Sequence, residues 1–301
     1  MDLLSSIGKT IATVTLATIP VAAAAAATIG GAGVAVVGAF GAGVVWASLH
    51  ISQQVHDWAR MGQKSSRTKP IFEDLILHER QAEGLSPKFR HIAVCGVAGS
   101  GKTSLVNALR GLRNGQPEAA KTGVVETTLS RSSYTAHSSI DSLVIHDIPG
   151  AGTQSIPAAE YFYTQKLYLF DSVLIVQGER FGEIEIEIIK ACIRQRTPFA
   201  VLRSRSDELI ARVADDEGLE FADAKAKHMR VSVEAVMKEL MKSGLPTNGL
   251  LELLRLVVLV NKNDLRQYVI KGIEEWPKEP RKNEIQERSL LKYLGKIEKP
   301  G

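Results

Sequence analysis

Ten residues, CGVAGSGKTS at 95–104, constrain this chain more than any other stretch. They match G-x-x-x-x-G-K-[ST] in full, with Gly96, Gly101, Lys102 and Thr103 in the fixed places. The flanks fit as well: the apolar run HIAVC leads in, and TSLVNALRGL follows with helical spacing. A strand, a glycine-rich turn and a helix N-terminus form a cradle of backbone N–H groups around phosphate oxygens. Gly96, Gly99 and Gly101 keep side chains out of that cradle, and Ser100 and Ser104 complete it. Lys102 is expected to reach the β- and γ-oxygens, and Thr103 to give its hydroxyl to Mg²⁺. Cys95, inside the apolar run, reads as a buried strand residue rather than a nucleophile.

The stretch around this loop alternates apolar runs with longer helical segments. The runs are HIAVCGV, SLVIHDI, DSVLIVQ, PFAVLRS and LRLVVLVN. Such alternation predicts an α/β fold of mostly parallel strands with helical crossovers on both faces. The second run ends in LVIHDIPGAG, where Asp147 closes a strand and Gly150 stands three residues on. This is the D-x-x-G arrangement of GTPases. The carboxylate of Asp147 would hold the metal's water shell, and the Gly150 N–H would meet the γ-phosphate. Between the two motifs lies KTGVVETTLSRSSY, where either Thr127 or Thr128 is placed to complete the metal shell.

The first fifty residues pose a different problem. Positions 10–49 hold no charged residue and are rich in Ala, Gly and Val. A membrane span needs about 20 apolar residues, so the run is long enough for one tilted span, or for a hairpin broken at Pro20 or Gly30-Gly31. Trp46 sits where an interfacial aromatic is expected, and Arg60, Lys64, Arg67 and Lys69 form a basic flank that predicts a cytoplasmic side. Because alanine is weakly hydrophobic, a packed helical element and a secretory signal stand as alternatives. The expected organisation is an apolar helical segment at 1–60, a linker and short helix at 61–86, a phosphate-loop domain at 87–277 and a charged tail at 278–301. The helical spacing of Ile71, Leu75 and Leu77 places the short helix over 71–81, and NEIQERSLLKYLGKI in the tail reads as a short exposed helix.

Composition removes other classes. A net charge of +4 over 301 residues does not favour nucleic acid as a partner. Two cysteines make no disulfide framework, and the seven histidines show no metal-ligand spacing.

Taken together, GVAGSGKTSLVNALRG, TGVVETTLSRSSY, HDIPGAGT and ERFGEIEIEIIKACI resemble the immunity-related, interferon-inducible GTPases over roughly residues 87–276. The resemblance implies a Ras-like G domain that binds GTP and GDP, hydrolyses GTP with Mg²⁺ and acts at intracellular membranes. By position, the family's switch glutamate matches Glu126 and its switch threonine Thr128. The family's guanine motif, T/N-K-x-D, falls on Ser204-Arg205-Ser206-Asp207, with Arg205 in place of lysine. A perfect N-K-x-D by letters, Asn261 to Asp264, follows the last apolar run. If it read the base, too little chain would remain for the last strand, so it is assigned to the final loop, with Asn261 behind the base. Where a Ras-like enzyme often carries a water-positioning Gln, this chain has Ala151. Slow turnover is therefore expected of the isolated domain, with help from Glu126 or a second copy. The leading expectation is a membrane-attached, self-associating GTPase with its G domain in the cytoplasm. A membrane-perturbing effector that uses the domain as a switch, and a nucleotide-bound interaction module with negligible hydrolysis, remain alternatives.

Overall fold

The computed structural model describes residues 69–122, 130–151, 157–178, 181–244, 257–272, 275–277 and 284–296. The uncharged run at 10–49 and the span or hairpin expected of it lie outside these residues. Among the described residues no helix is long and apolar enough to cross a membrane.

Six strands form one sheet: β1 (Arg90–Cys95), β2 (Ser132–Thr135), β3 (Leu143–Asp147), β4 (Ser172–Gln177), β5 (Phe199–Arg203) and β6 (Val257–Leu259). Their order is β2-β3-β1-β4-β5-β6, with β2 antiparallel to β3 and every other pairing parallel. Parallel strands buried on both faces read as unbroken apolar runs, which is why HIAVC and SVLIVQ stand out in the sequence. β2 carries no such run because it is an edge strand whose residues are half-buried or exposed.

The helices are α1 (Lys69–Ala82), α2 (Lys102–Leu109), α3 (Ala158–Thr164), α4 (Glu183–Gln195), α5 (Ser206–Glu217), α6 (Phe221–Lys242), α7 (Lys262–Lys271) and α8 (Glu287–Lys296). Successive strand residues point to opposite sides. Ala93 and Cys95 pack with residues of α3, α4 and α6, whereas Ile92 and Val94 pack with α2, α7 and α8. The chain runs outward from β1 in both directions, through β3 on one side and β4 on the other. Ligands of open α/β sheets bind at such a switch point, outside the carboxyl ends of the strands.

Two segments outside the expected domain belong to it. The helix expected at 71–81 is α1, and it is anchored by charge more than by its apolar stripe: Leu75 is 63 % exposed. Arg80 forms a buried pair with Asp171 at 3.0 Å, Lys166 pairs with Glu83 at 2.8 Å, and Leu85 joins the core. The second half of the expected linker is thus docked structure.

The larger correction is at the other end, where the expected exposed tail supplies α8. Leu290, Leu291, Tyr293 and Leu294 are buried in the core beneath β1 and β3. The Tyr293 hydroxyl lies 2.5 Å from Ser172 Oγ on β4, and the Arg90 guanidinium donates to the Leu294 carbonyl. The charged KNEIQER that precedes the stripe hides it from a reading by composition. Leu294→Ala should therefore cost about 2–5 kcal/mol of unfolding free energy by urea titration, against less than about 0.5 kcal/mol for a residue on an exposed tail.

Candidate functional site

The phosphate-type loop leaves β1 at Gly96, in a backbone conformation (φ 137°) that side chains rarely adopt. A Cβ there would stand 2.3 Å from the Val176 carbonyl oxygen on β4, so only glycine lets the turn run this close to its neighbour. Gly101, at φ 95°, closes the turn and caps α2 without any side-chain hydrogen bond. The first N–H groups of a helix have no intrahelical acceptor, so the mouth of this loop faces them with the positive end of α2. Ser100 is buried, and its hydroxyl has no partner among the described residues. Lys102 is 6 % exposed and arches back over the loop, its ammonium donating to the Val97 carbonyl at 2.8 Å. The Ser104 hydroxyl accepts from the Asn114 amide at 2.9 Å, which leaves its backbone N–H as its contribution to the loop.

The loop after β3 is stitched to this turn. Asp147 lies beside Val94 in the sheet register, and its carboxylate accepts from the Thr103 hydroxyl at 2.7 Å. The N–H of Ala151 donates to the Gly96 carbonyl at 3.0 Å, and that of Ala98 to the Ala151 carbonyl at 3.3 Å. The Tyr161 hydroxyl holds the Pro149 carbonyl at 2.6 Å, so the backbone around the buried Gly150 is fixed from both sides. The methyl group of Ala151 is turned into the core. Glu126, Thr127 and Thr128 lie outside the described residues.

Behind the loop, Glu185 on α4 is fully buried, and one of its oxygens accepts from the Gly182 N–H at 3.1 Å. Burial raises its carboxyl above the usual range, partly opposed by its backbone hydrogen bonds and the nearby Lys102 ammonium. Cys95 is buried, and burial drives its thiol far above the ordinary range, which suits the strand role and not a nucleophile.

The two candidate base loops lie side by side. Ser204-Arg205-Ser206-Asp207 follows β5, and the Ser204 hydroxyl donates to the Ser100 carbonyl at 2.7 Å. Arg205 is exposed and left-handed (φ 53°), and Asp207 sits half-buried in the first turn of α5. Asn261 follows β6. Its side chain caps α7 by accepting from the Asn263 N–H at 2.7 Å, so its backbone rather than its amide faces the neighbouring loops. The Ser206 N–H reaches the Val260 carbonyl at 3.4 Å. The geometry thus brings together Gly96, Lys102, Thr103, Asp147, Gly150, Arg205, Asp207 and Asn261 at one edge of the sheet. Tyr161 and the carboxylate of Glu287, which accepts from the Asn261 N–H at 2.7 Å, are the supports that sequence reasoning missed. Neither falls in a recognisable motif.

A parallel sheet in this order, with a single antiparallel edge strand, a phosphate-type loop after β1 and D-x-x-G after β3, defines a P-loop domain of the G-domain class. The chain belongs to the interferon-inducible GTPase (IIGP) family, whose model matches residues 76–245. Mouse interferon-inducible GTPase 1 is 38 % identical over 135 residues, which is 45 % of this chain and 32 % of that protein. Bovine interferon-inducible GTPase 5 is 35 % identical over 137 residues, 46 % of this chain and 29 % of that protein. The chain thus covers about a third of the length of these curated relatives. Among solved structures, the bacterial dynamin GTPase LeoA from ETEC aligns over 86 % of this chain and 44 % of its own, at 16 % identity and a TM-score of 0.47, a likeness too distant to bear on function.

Lys102 is the one cation of the phosphate-loop motif itself. A hydrogen bond to a charged group contributes about 1.5–3 kcal/mol. Lys102→Ala should therefore weaken GDP binding by about tenfold or more in calorimetry, with the circular dichroism of the fold retained.

Proposed function

We propose that this chain binds GDP and GTP at the carboxyl edge of its sheet and hydrolyses GTP to GDP and phosphate. The observation that carries this reading is the Thr103–Asp147 contact of 2.7 Å at the mouth of a lysine-bearing phosphate loop, with an aspartate loop tied to the same turn through Ser204 and Ser100. Membership of a family named for GTPase activity supports it.

A hydroxyl and a carboxylate are hard oxygen donors of the kind Mg²⁺ takes, so Thr103 and Asp147 fit that ion, with Thr128 as the further expected ligand. Mg²⁺, when bound, would neutralise charge on the phosphate oxygens. Lys102 exchanges its contact with the Val97 carbonyl for the β- and γ-oxygens. The N–H groups of Gly99 to Ser104 and of Gly150 orient those oxygens. Asp207 accepts the N1–H and N2–H₂ of guanine, a pair of donors that adenine lacks, and the Arg205 guanidinium lies on the same side. The loop at Asn261 backs the base.

Water attack on the γ-phosphorus needs a group to orient the water. Ala151 cannot serve, since its methyl is in the core. Turnover is accordingly slow in a lone copy and rises when two copies share their nucleotide faces, with Glu126 the candidate group within the chain. Negligible hydrolysis, with the domain acting as a nucleotide-bound interaction module, is the second reading that the same buried alanine favours.

Turnover by the full chain over a range of protein concentrations separates these readings. The expected result is GTP hydrolysis per molecule that grows with concentration, a preference moved towards XTP by Asp207→Asn, and little change in base choice for Asp264→Asn. A switch made by Asp264→Asn alone would assign the base to the loop after β6. An absence of turnover at every concentration would leave the binding module.

Attachment to a membrane through residues 1–60, with the nucleotide site on the cytoplasmic side, completes the proposed function. The forty-position uncharged run and its basic flank support it. Full-length protein should stay with membranes through a carbonate wash, and a chain beginning at Gln63 should not. If both wash off equally, the attachment is lost.

A further inference from the structure

The segment that carries α8 does more than fill the core. It lies along the free edge of β6, where the Gln286 amide oxygen accepts from the Leu259 N–H at 2.8 Å. Next to it stands Glu287, fully buried in the first turn of α8. One carboxylate oxygen accepts from the Asn261 N–H at 2.7 Å, and the other from the Ile285 N–H at 2.9 Å. A buried carboxylate held this way is a fixed point, because losing either bond strands a buried polar group.

From that point a polar chain runs along the carboxyl edge of the sheet. Asn261 follows Val260, whose N–H donates to the Arg203 carbonyl at 3.0 Å and whose carbonyl accepts from the Ser206 N–H at 3.4 Å. Ser206 Oγ donates to the Arg203 carbonyl at 2.8 Å, and Ser204 Oγ to the Ser100 carbonyl in the phosphate loop at 2.7 Å. The C-terminal segment and the phosphate loop are the two ends of one connected set of loops.

We propose that Glu287 is a positioning residue for the nucleotide base: it holds the loop after β6 by the Asn261 amide and so makes retention of the nucleotide depend on the docking of the C-terminal helix. This rests on the guanine-nucleotide reading of the site.

The charges around Glu287 make the grip sensitive to pH. Burial raises its carboxyl to about 7, the N–H groups of Asn261, of Glu287 itself and of Ile285 work against that rise, and Asp264 on α7 adds to it. From α6, Lys225 donates to the Glu284 carbonyl, and burial lowers its ammonium while Glu287 and Glu284 draw it back up. On the segment itself, the Glu284 carboxylate is taken by Tyr268 of α7 and by Arg288, the latter at 2.7 Å. Above about 7 the ionised Glu287 accepts both amides at full strength. Below it a proton occupies one oxygen, the hold on Asn261 weakens and release quickens.

The test is the rate of release of a fluorescent GDP from the full chain between pH 6 and pH 8. Ionisation of the nucleotide's own phosphates is common to all variants and cancels in the comparison. Wild-type release should slow as pH rises through about 7. Glu287→Gln, which keeps the size but offers one acceptor in place of two, should release about tenfold faster at pH 8 and show no pH dependence beyond that of the phosphates. A Glu287→Gln protein with the wild-type rate and profile would overturn the inference. Should that variant fail to fold, Lys225→Met decides. Removing the ammonium makes the carboxylate harder to ionise, so the wild-type profile should move to higher pH, and an unmoved profile would overturn the inference. A wild-type chain that binds no GDP at any pH would remove the guanine-nucleotide reading and this inference with it. Binding by the wild type with no effect of either substitution removes the inference alone.

Discussion

At Gly96 the chain leaves β1 so close to β4 that a Cβ would stand 2.3 Å from the Val176 carbonyl oxygen, and the rest of the edge is arranged around that approach. Because the turn is tight, the Gly96 carbonyl can accept the Ala151 N–H, and the backbone after Asp147 runs against the phosphate loop. The turn also sets Lys102 at the start of α2 and brings Ser100 under the Ser204 hydroxyl. A bulkier residue would push the loop off β4 and break each of these contacts in turn. The parallel sheet makes the arrangement possible, since its strands deliver their carboxyl ends to one edge.

The legible part of the fold was the part made of parallel strands buried on both faces. HIAVC, LVIHD and SVLIVQ announce themselves as apolar runs, and the glycines of the phosphate loop fall at fixed spacing between a strand and a helix. The base loops show what letters alone cannot decide. Asn261 to Asp264 is the better match to N-K-x-D, yet it follows the edge strand β6, and its asparagine side chain is spent capping α7. Ser204 to Asp207 matches poorly and follows β5, one strand nearer the phosphate loop, where Ser204 touches Ser100. Strand order is what supports the proposed assignment to the loop after β5, and strand order is a property of the sheet.

What escaped the sequence did so for physical reasons. β2 is an edge strand with half-wet faces, so SSYT has no apolar signature. α8 follows a run of charges, and the burial of Glu287 depends on amide donors from residues 261 and 285, which no local pattern announces. α1 has the spacing of an amphipathic helix, but its hold on the domain runs through Arg80, Glu79 and Glu83. In α8 and α1, charged side chains that composition would assign to solvent are satisfied by partners far away in the chain. A segment docked this way shares its free energy with any ligand whose loops it supports. Binding at the phosphate loop and docking of α8 should therefore strengthen one another by the same factor.

Amide hydrogen exchange of the full chain, with and without GDP and Mg²⁺, tests the central claim most directly. The claim is that one edge, from the phosphate loop to the C-terminal segment, forms a single guanine-nucleotide site. GDP should slow exchange at 96–104, at 204–207 and at 260–264, and also at 285–287, which touches no nucleotide in this account. Protection confined to the phosphate loop, with the loops after β5 and β6 and the C-terminal segment unchanged, would contradict it.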